Sequence, residues 1–298
     1  MAVVKTEFSI KDLENLSDVK AHTIRIWEKR YNLLEPDRTD TNIRRYDMDN
    51  LKKLLNITLL YKAGHKISKL AEMDPIQIQT LITEETESNS TNYALESLRA
   101  AMLAFNVEKF DSVLENLLNE RDFRDIYLNI LVPLLRNAGM LWQTGTVDPS
   151  HEHFISQRIK HLLILKTAEV KKNIRDNELA EFVLYLPSGE GHEIGLLYAN
   201  YELVRRGFKT LYLGANIPTE SLEPVLKQKR DAIFVSYFTV CPKLEDMETY
   251  IQNFLHSVGA KNEFWILGNR PYKNKGGIKS LKRFEEITSF VGYLDKIS

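Results

Sequence analysis

Residues 23–46 read TIRIWEKRYNLLEPDRTDTNIRRY, and this stretch decides the fold of the first part of the chain. A helix from about Val19 to Tyr31 turns Val19, Ile24 and Trp27 inward and leaves Lys20, His22, Thr23, Arg25 and Lys29 facing outward. The residues that follow, Pro36 to Tyr46, combine turn chemistry with flanking strand formers, which predicts a small hairpin wing with Arg38, Arg44 and Arg45 near phosphates. Upstream, Phe8, Ile10, Leu13 and Leu16 form a short apolar stripe with Ser9 or Lys11 at the helix start, and Ser17-Asp18 supplies a turn and a helix cap. Two short helices joined by a tight turn, the second carrying donors and narrow enough for a major groove, make a helix-turn-helix. Downstream, Asp47 or Asp49 caps a helix through Leu51, Leu54, Leu55, Thr58 and Leu59 that Gly64 ends.

The charge pattern sets this unit apart. Asn50 to Leu70 holds five lysines and no acid, and Lys20 to Tyr46 holds seven basic and four acidic residues. Ile76 to Glu120 reverses the sign, with eight acids against Arg99 and Lys109. The whole chain carries a formal net charge of -1, so any nucleic-acid contact must be local. At 298 residues and 43% hydrophobic composition it has the material for two or three packed domains. A single cysteine, Cys241, excludes an internal disulfide framework and any multi-cysteine zinc or iron–sulfur site. The N-terminus lacks the apolar core of a signal peptide, and no apolar run approaches the roughly 20 residues of a membrane span. The chain reads as a cytoplasmic protein without a membrane partner. The polar run Thr83–Asn92 reads as a linker. The expected division is 1–75, linker 76–92, a helical part 93–176 and a final part 177–298.

The middle is helical by period: Tyr93–Phe105, Val107–Leu118, Phe123–Trp142, and a fourth helix from Asp148-Pro149 to about Lys172. Four helices with short connections predict a four-helix bundle. Between the third and fourth lies Trp142, followed after nine residues by Glu152-His153. His151 and His153 flank Glu152, but positions i and i+2 do not share a helical face, which argues against a chelate. From Glu181 onward, short apolar runs (Phe182–Leu186, Thr210–Leu213, Ala232–Ser236, Phe264–Leu267, Ser289–Val291) alternate with helices. That alternation predicts a doubly wound, Rossmann-like parallel sheet with its ligand at the carboxyl ends of the strands. Neither GxGxxG nor a Walker lysine loop follows the first strand, which disfavours dinucleotide and nucleotide enzymes. Pro187-Ser-Gly-Glu190-Gly-His192-Glu-Ile-Gly195 follows instead. It puts a histidine on a glycine-rich loop, with Glu190 two residues away to fix its tautomer and raise its basicity.

The Thr23–Tyr46 run closely resembles the winged helix-turn-helix of the MerR family of transcription regulators, and Trp27-Glu-Lys-Arg-Tyr31 resembles its CarH and LitR branch. By that resemblance Arg25 and Tyr46 contact backbone phosphates while the outward face of the second helix reads bases. The W-x9-E-H spacing is similar to the adenosylcobalamin-binding bundle of CarH-type regulators, which implies that Trp142 covers the upper corrin face and that Glu152 and His153 offer polar contacts. E-x-H-x-x-G at 190–195 resembles the signature of the cobalamin-binding domain. It implies His192 as the lower cobalt ligand, with Ser236 contacting the displaced benzimidazole tail and Gly268 leaving it room. Phe238 and Asn269 stand where that family has leucine and a second glycine.

The order of the three parts resembles CarH-type repressors over nearly the whole chain. It implies a light-sensitive adenosylcobalamin switch, a homo-oligomer (tetrameric in the family) and a double-stranded operator, with no enzymatic turnover. Gln143 stands where light-sensing relatives can carry an upper-face histidine, so that His151, His153 or His161 substitutes for it or the photoproduct carries water. Two alternatives accompany this reading. One is a regulator of the same build that senses another corrinoid, or none, without a light response. The other is a corrinoid carrier for methyl transfer, against which the N-terminal module argues.

Overall fold

The computed structural model describes residues 7–39, 41–88, 90–172, 181–229, 231–258, 262–270 and 280–297. The chain forms two compact units, Met1–Gln157 and Arg158–Ser298.

In the first unit, α1 (Ile10–Ser17) starts at a capping box: Ser9 Oγ accepts from the Asp12 amide while the Asp12 carboxylate accepts from the Ser9 amide at 2.7 Å. Asp18, at φ 60°, closes α1. Helix α2 (Ala21–Tyr31) begins after Lys20 without a side-chain cap, so Ser17-Asp18 ends the first helix rather than capping the second. Strands β1 (Asp37–Arg38) and β2 (Arg44–Arg45) pair antiparallel as the expected wing. A bridge between Phe8 and Tyr46 ties the start of the unit to the wing. Asp47 caps α3 (Met48–Lys62) by accepting from the Asn50 amide, and Gly64 at φ 103° follows its end. A short turn of helix, α4 (Ile67–Leu70), leads to α5 (Pro75–Ser88) and α6 (Ser90–Leu103). The run expected to be a linker is therefore helical along its described backbone. It contains no proline or glycine to break a helix, and its glutamates are good helix formers.

The bundle continues with α7 (Val107–Glu120), α8 (Phe123–Ile126), a π-helical turn (Tyr127–Leu131), α9 (Val132–Gln143) and α10 (Pro149–Lys172). The π turn precedes Pro133, which has no N–H to return to the helix ladder. Leu98, Met102, Phe110, Ile130, Ala138 and Ile155 are among its fully buried residues.

The second unit holds a five-stranded, all-parallel sheet in the order β4-β3-β5-β6-β7. Its strands are β3 (Glu181–Pro187), β4 (Lys209–Ile217), β5 (Ile233–Tyr237), β6 (Phe264–Leu267) and β7 (Leu281–Phe284). Helices α11 (Ile194–Arg205), α12 (Glu223–Gln228), α13 (Met247–Val258) and α14 (Ile287–Ile297) complete the unit. Ser289–Val291, expected as the last strand, lies inside α14. Phe290, Val291 and Leu294 are buried on one helical face there, and the edge strand is Leu281–Phe284 instead. An aromatic cluster of Tyr185, Phe234, Phe238, Phe254 and Phe264 fills one side of the sheet. This strand order reverses direction next to β3, between β4 and β5, and open α/β sheets bind ligands at the carboxyl ends of the strands flanking such a reversal.

Candidate functional site

The loop after β3 sits at that reversal and carries the Glu190–His192 pair. Glu190 is fully buried. Its Oε1 accepts from the His192 amide at 3.0 Å and meets His192 Nδ1 at 2.6 Å. Its Oε2 accepts three backbone N–H groups from the loop after β5: Thr239 at 3.0 Å, Val240 at 2.6 Å and Cys241 at 2.9 Å. Burial opposes ionisation of this carboxyl, but the bonds from His192, Cys241 and Val240 outweigh it and hold its pKa down at about 2. An ionised Glu190 takes the proton-bearing Nδ1, so the lone pair of a neutral imidazole falls on Nε2, the arrangement a ligating histidine needs. The carboxyl end of β4 joins in, since the Gly189 amide donates to Asn216 Oδ1 at 2.8 Å. The carboxyl ends of β3, β4 and β5 are thus bound together around His192, whose side chain is more than half exposed.

The remaining predicted positions of this unit lie close by in the fold. Ser236, on β5, is wholly buried, and its Oγ has no hydrogen-bond partner among the described residues. Gly268 stands at φ 114°, where an added Cβ would come within 2.4 Å of the Phe238 carbonyl oxygen. Gly195 lies under the Tyr237 ring, with only 2.6 Å between that ring and an added Cβ. A buried hydroxyl left without a partner and an imidazole tethered through Nδ1 fit a bulky ligand held from one side by nitrogen. Gly195 and Gly268 are required by close packing against Tyr237 and Phe238.

In the first unit, Trp142 is 47% exposed near the end of α9. Glu152 and His153 are brought together on α10, with His153 Nδ1 3.2 Å from Glu152 Oε2; Ser156 Oγ donates to Glu152 Oε1. His151 departs from the role considered for it. It is buried and stacked on the Phe105 ring at 4.4 Å, and burial pulls its pKa below the usual imidazole value. A side chain packed this way is not available to cobalt. His153 and His161 are exposed.

On the helix-turn-helix, His22, Arg25 and Lys29 are exposed, Thr23 is half-buried, and Lys20 Nζ lies 3.3 Å from Glu14. On the wing, Arg45 is exposed and Arg38 donates to Asn42 Oδ1 at 2.7 Å. Tyr46, expected at a phosphate, is a core residue. It is fully buried by its bridge to Phe8, and its hydroxyl donates to Glu28 Oε2 at 2.9 Å. Burial, then the Glu28 carboxylate, push its phenol well above the usual range. Arg44 Nε donates to both oxygens of the same carboxylate, at 2.9 and 3.1 Å. Glu28 was invisible to pattern reading because its two partners lie 16 and 18 residues away. The amides that hold Glu190 lie about 50 residues away and carry no side-chain signature at all.

Comparisons with known proteins agree with this layout. The family model described as MerR HTH family regulatory protein matches residues 8–75, and that of the B12 binding domain matches residues 94–165. The HTH-type transcriptional repressor CarH of Myxococcus xanthus is 29% identical over 272 residues, covering 88% of both chains. Over most of its length this chain is similar to a MerR-type regulator that also carries a B12 binding domain. The repressor CarA of the same organism is 23% identical over 255 residues, covering 83% of this chain and 82% of its own. The monomethylamine corrinoid protein of Methanosarcina barkeri shares the fold at a TM-score of 0.58 and 14% identity, over 70% of this chain and 100% of its own. The two family models thus fall on separate parts of the chain, the helix-turn-helix with its wing and the helical bundle. Among the described residues no helix is long and apolar enough to cross a membrane.

Proposed function

We propose that this protein is a transcriptional repressor that holds adenosylcobalamin and uses it as a light-sensitive control of oligomerisation and operator binding. The observation that carries the reading is the Glu190–His192 pair at the sheet's reversal point, in a chain whose N-terminus is a MerR-type helix-turn-helix. The bound cofactor supplies a cobalt–carbon bond that light breaks. His192 offers Nε2 to the metal, and Glu190 holds Nδ1 and orients the ring. Ser236 would donate its otherwise unpartnered hydroxyl to the nucleotide tail, and Gly268 and Gly195, lacking side chains, would leave the cofactor room. Trp142, Glu152 and His153 would contribute contacts to the cofactor from the helical bundle, Trp142 an apolar one and the Glu152–His153 pair polar ones. Lys20, His22, Thr23, Arg25 and Lys29 face the major groove, while Arg38, Arg44 and Arg45 reach backbone phosphates from the wing. A homotetramer presents several such modules to one operator, and avidity makes operator binding depend on the assembly. Light acts on DNA only to the extent that cofactor binds the assembled state better.

The test uses chain reconstituted with adenosylcobalamin in darkness. It should show a corrin spectrum with histidine ligation, elute as a larger species than after green illumination, and release operator DNA on illumination. Failure to take up the corrinoid overturns the cofactor reading. Uptake with unchanged elution and unchanged DNA binding supports a second reading, a corrinoid sensor without photoreception. Gln143 favours that reading, because its neutral amide is a weaker cobalt ligand than imidazole.

A further inference from the structure

Helix α2 displays its exposed groups as a single stripe. At 3.6 residues per turn, positions 22, 25, 26 and 29 fall within an arc of about 100°. His22, Arg25 and Lys29 lie on it, and Ile24 and Trp27 are buried on the other side of the helix. The fourth member of the stripe is Ile26, which is 52% exposed. An exposed isoleucine is unremarkable alone. This one is the apolar centre of a face otherwise made of donors, on the helix that a MerR-type module presents to DNA. The helix's one acid, Glu28, is turned away and engaged by Arg44 and Tyr46. A face with Arg25, Lys29 and Arg30 exposed and no exposed acid suits a polyanion and repels a second copy of itself.

We infer that Ile26 reads the C5-methyl group of a thymine in the operator, which makes it a specificity-determining residue of the recognition helix. The thymine methyl is the one apolar group that base edges offer in the major groove, and an aliphatic side chain flanked by donors is what distinguishes it from cytosine. The inference rests on the DNA-reading assignment above and adds to it which base is read, and by which residue.

The experiment first selects an operator from random duplexes with the full-length chain, in darkness with adenosylcobalamin. Each thymine is then replaced singly by deoxyuridine, which removes the methyl and keeps the pairing. Expected for the wild type is at least one position per half-site where the replacement weakens binding about three- to fivefold, the scale of one buried methyl. With Ile26→Ala the same replacement should change nothing, and the variant should bind the thymine operator more weakly than wild type by at least that factor. Ile26→Val should keep most of the discrimination. Because Ile26 is exposed, the variants should unfold at the wild-type temperature. Wild-type binding indifferent to uracil at every position overturns the inference, as does an Ile26→Ala variant that keeps the full uracil penalty. A selection that enriches no sequence fails earlier, and defeats the DNA-reading assignment itself.

Discussion

Asn15 Nδ2 donates to Thr146 Oγ1 at 3.0 Å, joining the first helix of the DNA-reading module to the loop that follows Trp142. Thr146 is wholly buried and also meets Thr144 Oγ1 at 3.0 Å; nearby, Arg99 donates to the Leu16 carbonyl at 2.9 Å. Asn15→Ala should cost about 1 kcal/mol, the net worth of one such bond. In a unit of this size that lowers the melting temperature by about 2–4 °C. Calorimetry of wild type and variant measures it, and an unchanged transition means the bond contributes nothing in solution.

Glu28 is the acceptor for both the buried Tyr46 hydroxyl and the Arg44 guanidinium. Glu28→Ala should destabilise the chain by about 2–4 kcal/mol, because it strands a buried hydroxyl and removes the anchor of a partly buried cation. Glu28→Gln, which keeps an acceptor for the tyrosine, should cost less. Urea titrations rank the two. Arg44→Ala should also lower the salt slope of operator binding by about one, the loss of one phosphate contact; an unchanged slope removes Arg44 from the DNA-facing set.

Glu190 provides a pH signature. Its folded pKa of about 2 lies below the ordinary carboxylate value, so the folded state binds fewer protons than the unfolded chain across that interval. The stabilisation is complete above about pH 4.5 and is lost as pH falls towards 2. Glu190→Gln should be less stable than wild type at neutral pH, and the gap should narrow on acidification through that window. Melting temperatures at matched pH values test this; a gap that widens in acid contradicts it.

His192→Ala should abolish the spectrum of a histidine-ligated corrinoid while leaving the fold intact, because an exposed loop imidazole adds little to the core. Reconstitution followed by absorption spectroscopy decides, and a retained histidine-ligated spectrum would remove His192 from the metal's lower face.

Gly268→Ala should be costly, by about 3 kcal/mol or more. It forces a side chain into the left-handed region at φ 114° and pushes Cβ to within 2.4 Å of the Phe238 carbonyl oxygen, a backbone atom that cannot swing aside. Gly145→Ala, at φ 67° with nothing within 4 Å of the added carbon, pays only the backbone term and should cost less. Denaturant midpoints of the two variants compare them.

Local chemistry determined much of this protein without reference to tertiary structure. The Ile24 and Trp27 spacing, the Asp47 cap and the positive-φ Gly64 are properties of a few adjacent residues, and each recurs in the folded chain where the pattern put it. Three of the five strands were legible because a buried parallel strand is a continuous apolar run, and the half-buried edge strand β4 because Leu211, Tyr212 and Leu213 are strand formers in a row. The edge strand Leu281-Lys-Arg-Phe284 was not, because its two charged residues hide it and Ser289–Val291 imitates a strand within an amphipathic helix. Glu190 and His192 were readable as neighbours, two residues apart. What only the tertiary structure decided is who else holds them: backbone amides of Thr239, Val240 and Cys241 fix the carboxylate. Likewise it moved Tyr46 from surface to core through Phe8 and Glu28. A periodic pattern records which face of an element meets the core, but a backbone amide has no letter in the sequence. Contacts that depend on distant backbone therefore become visible only when the chain has folded.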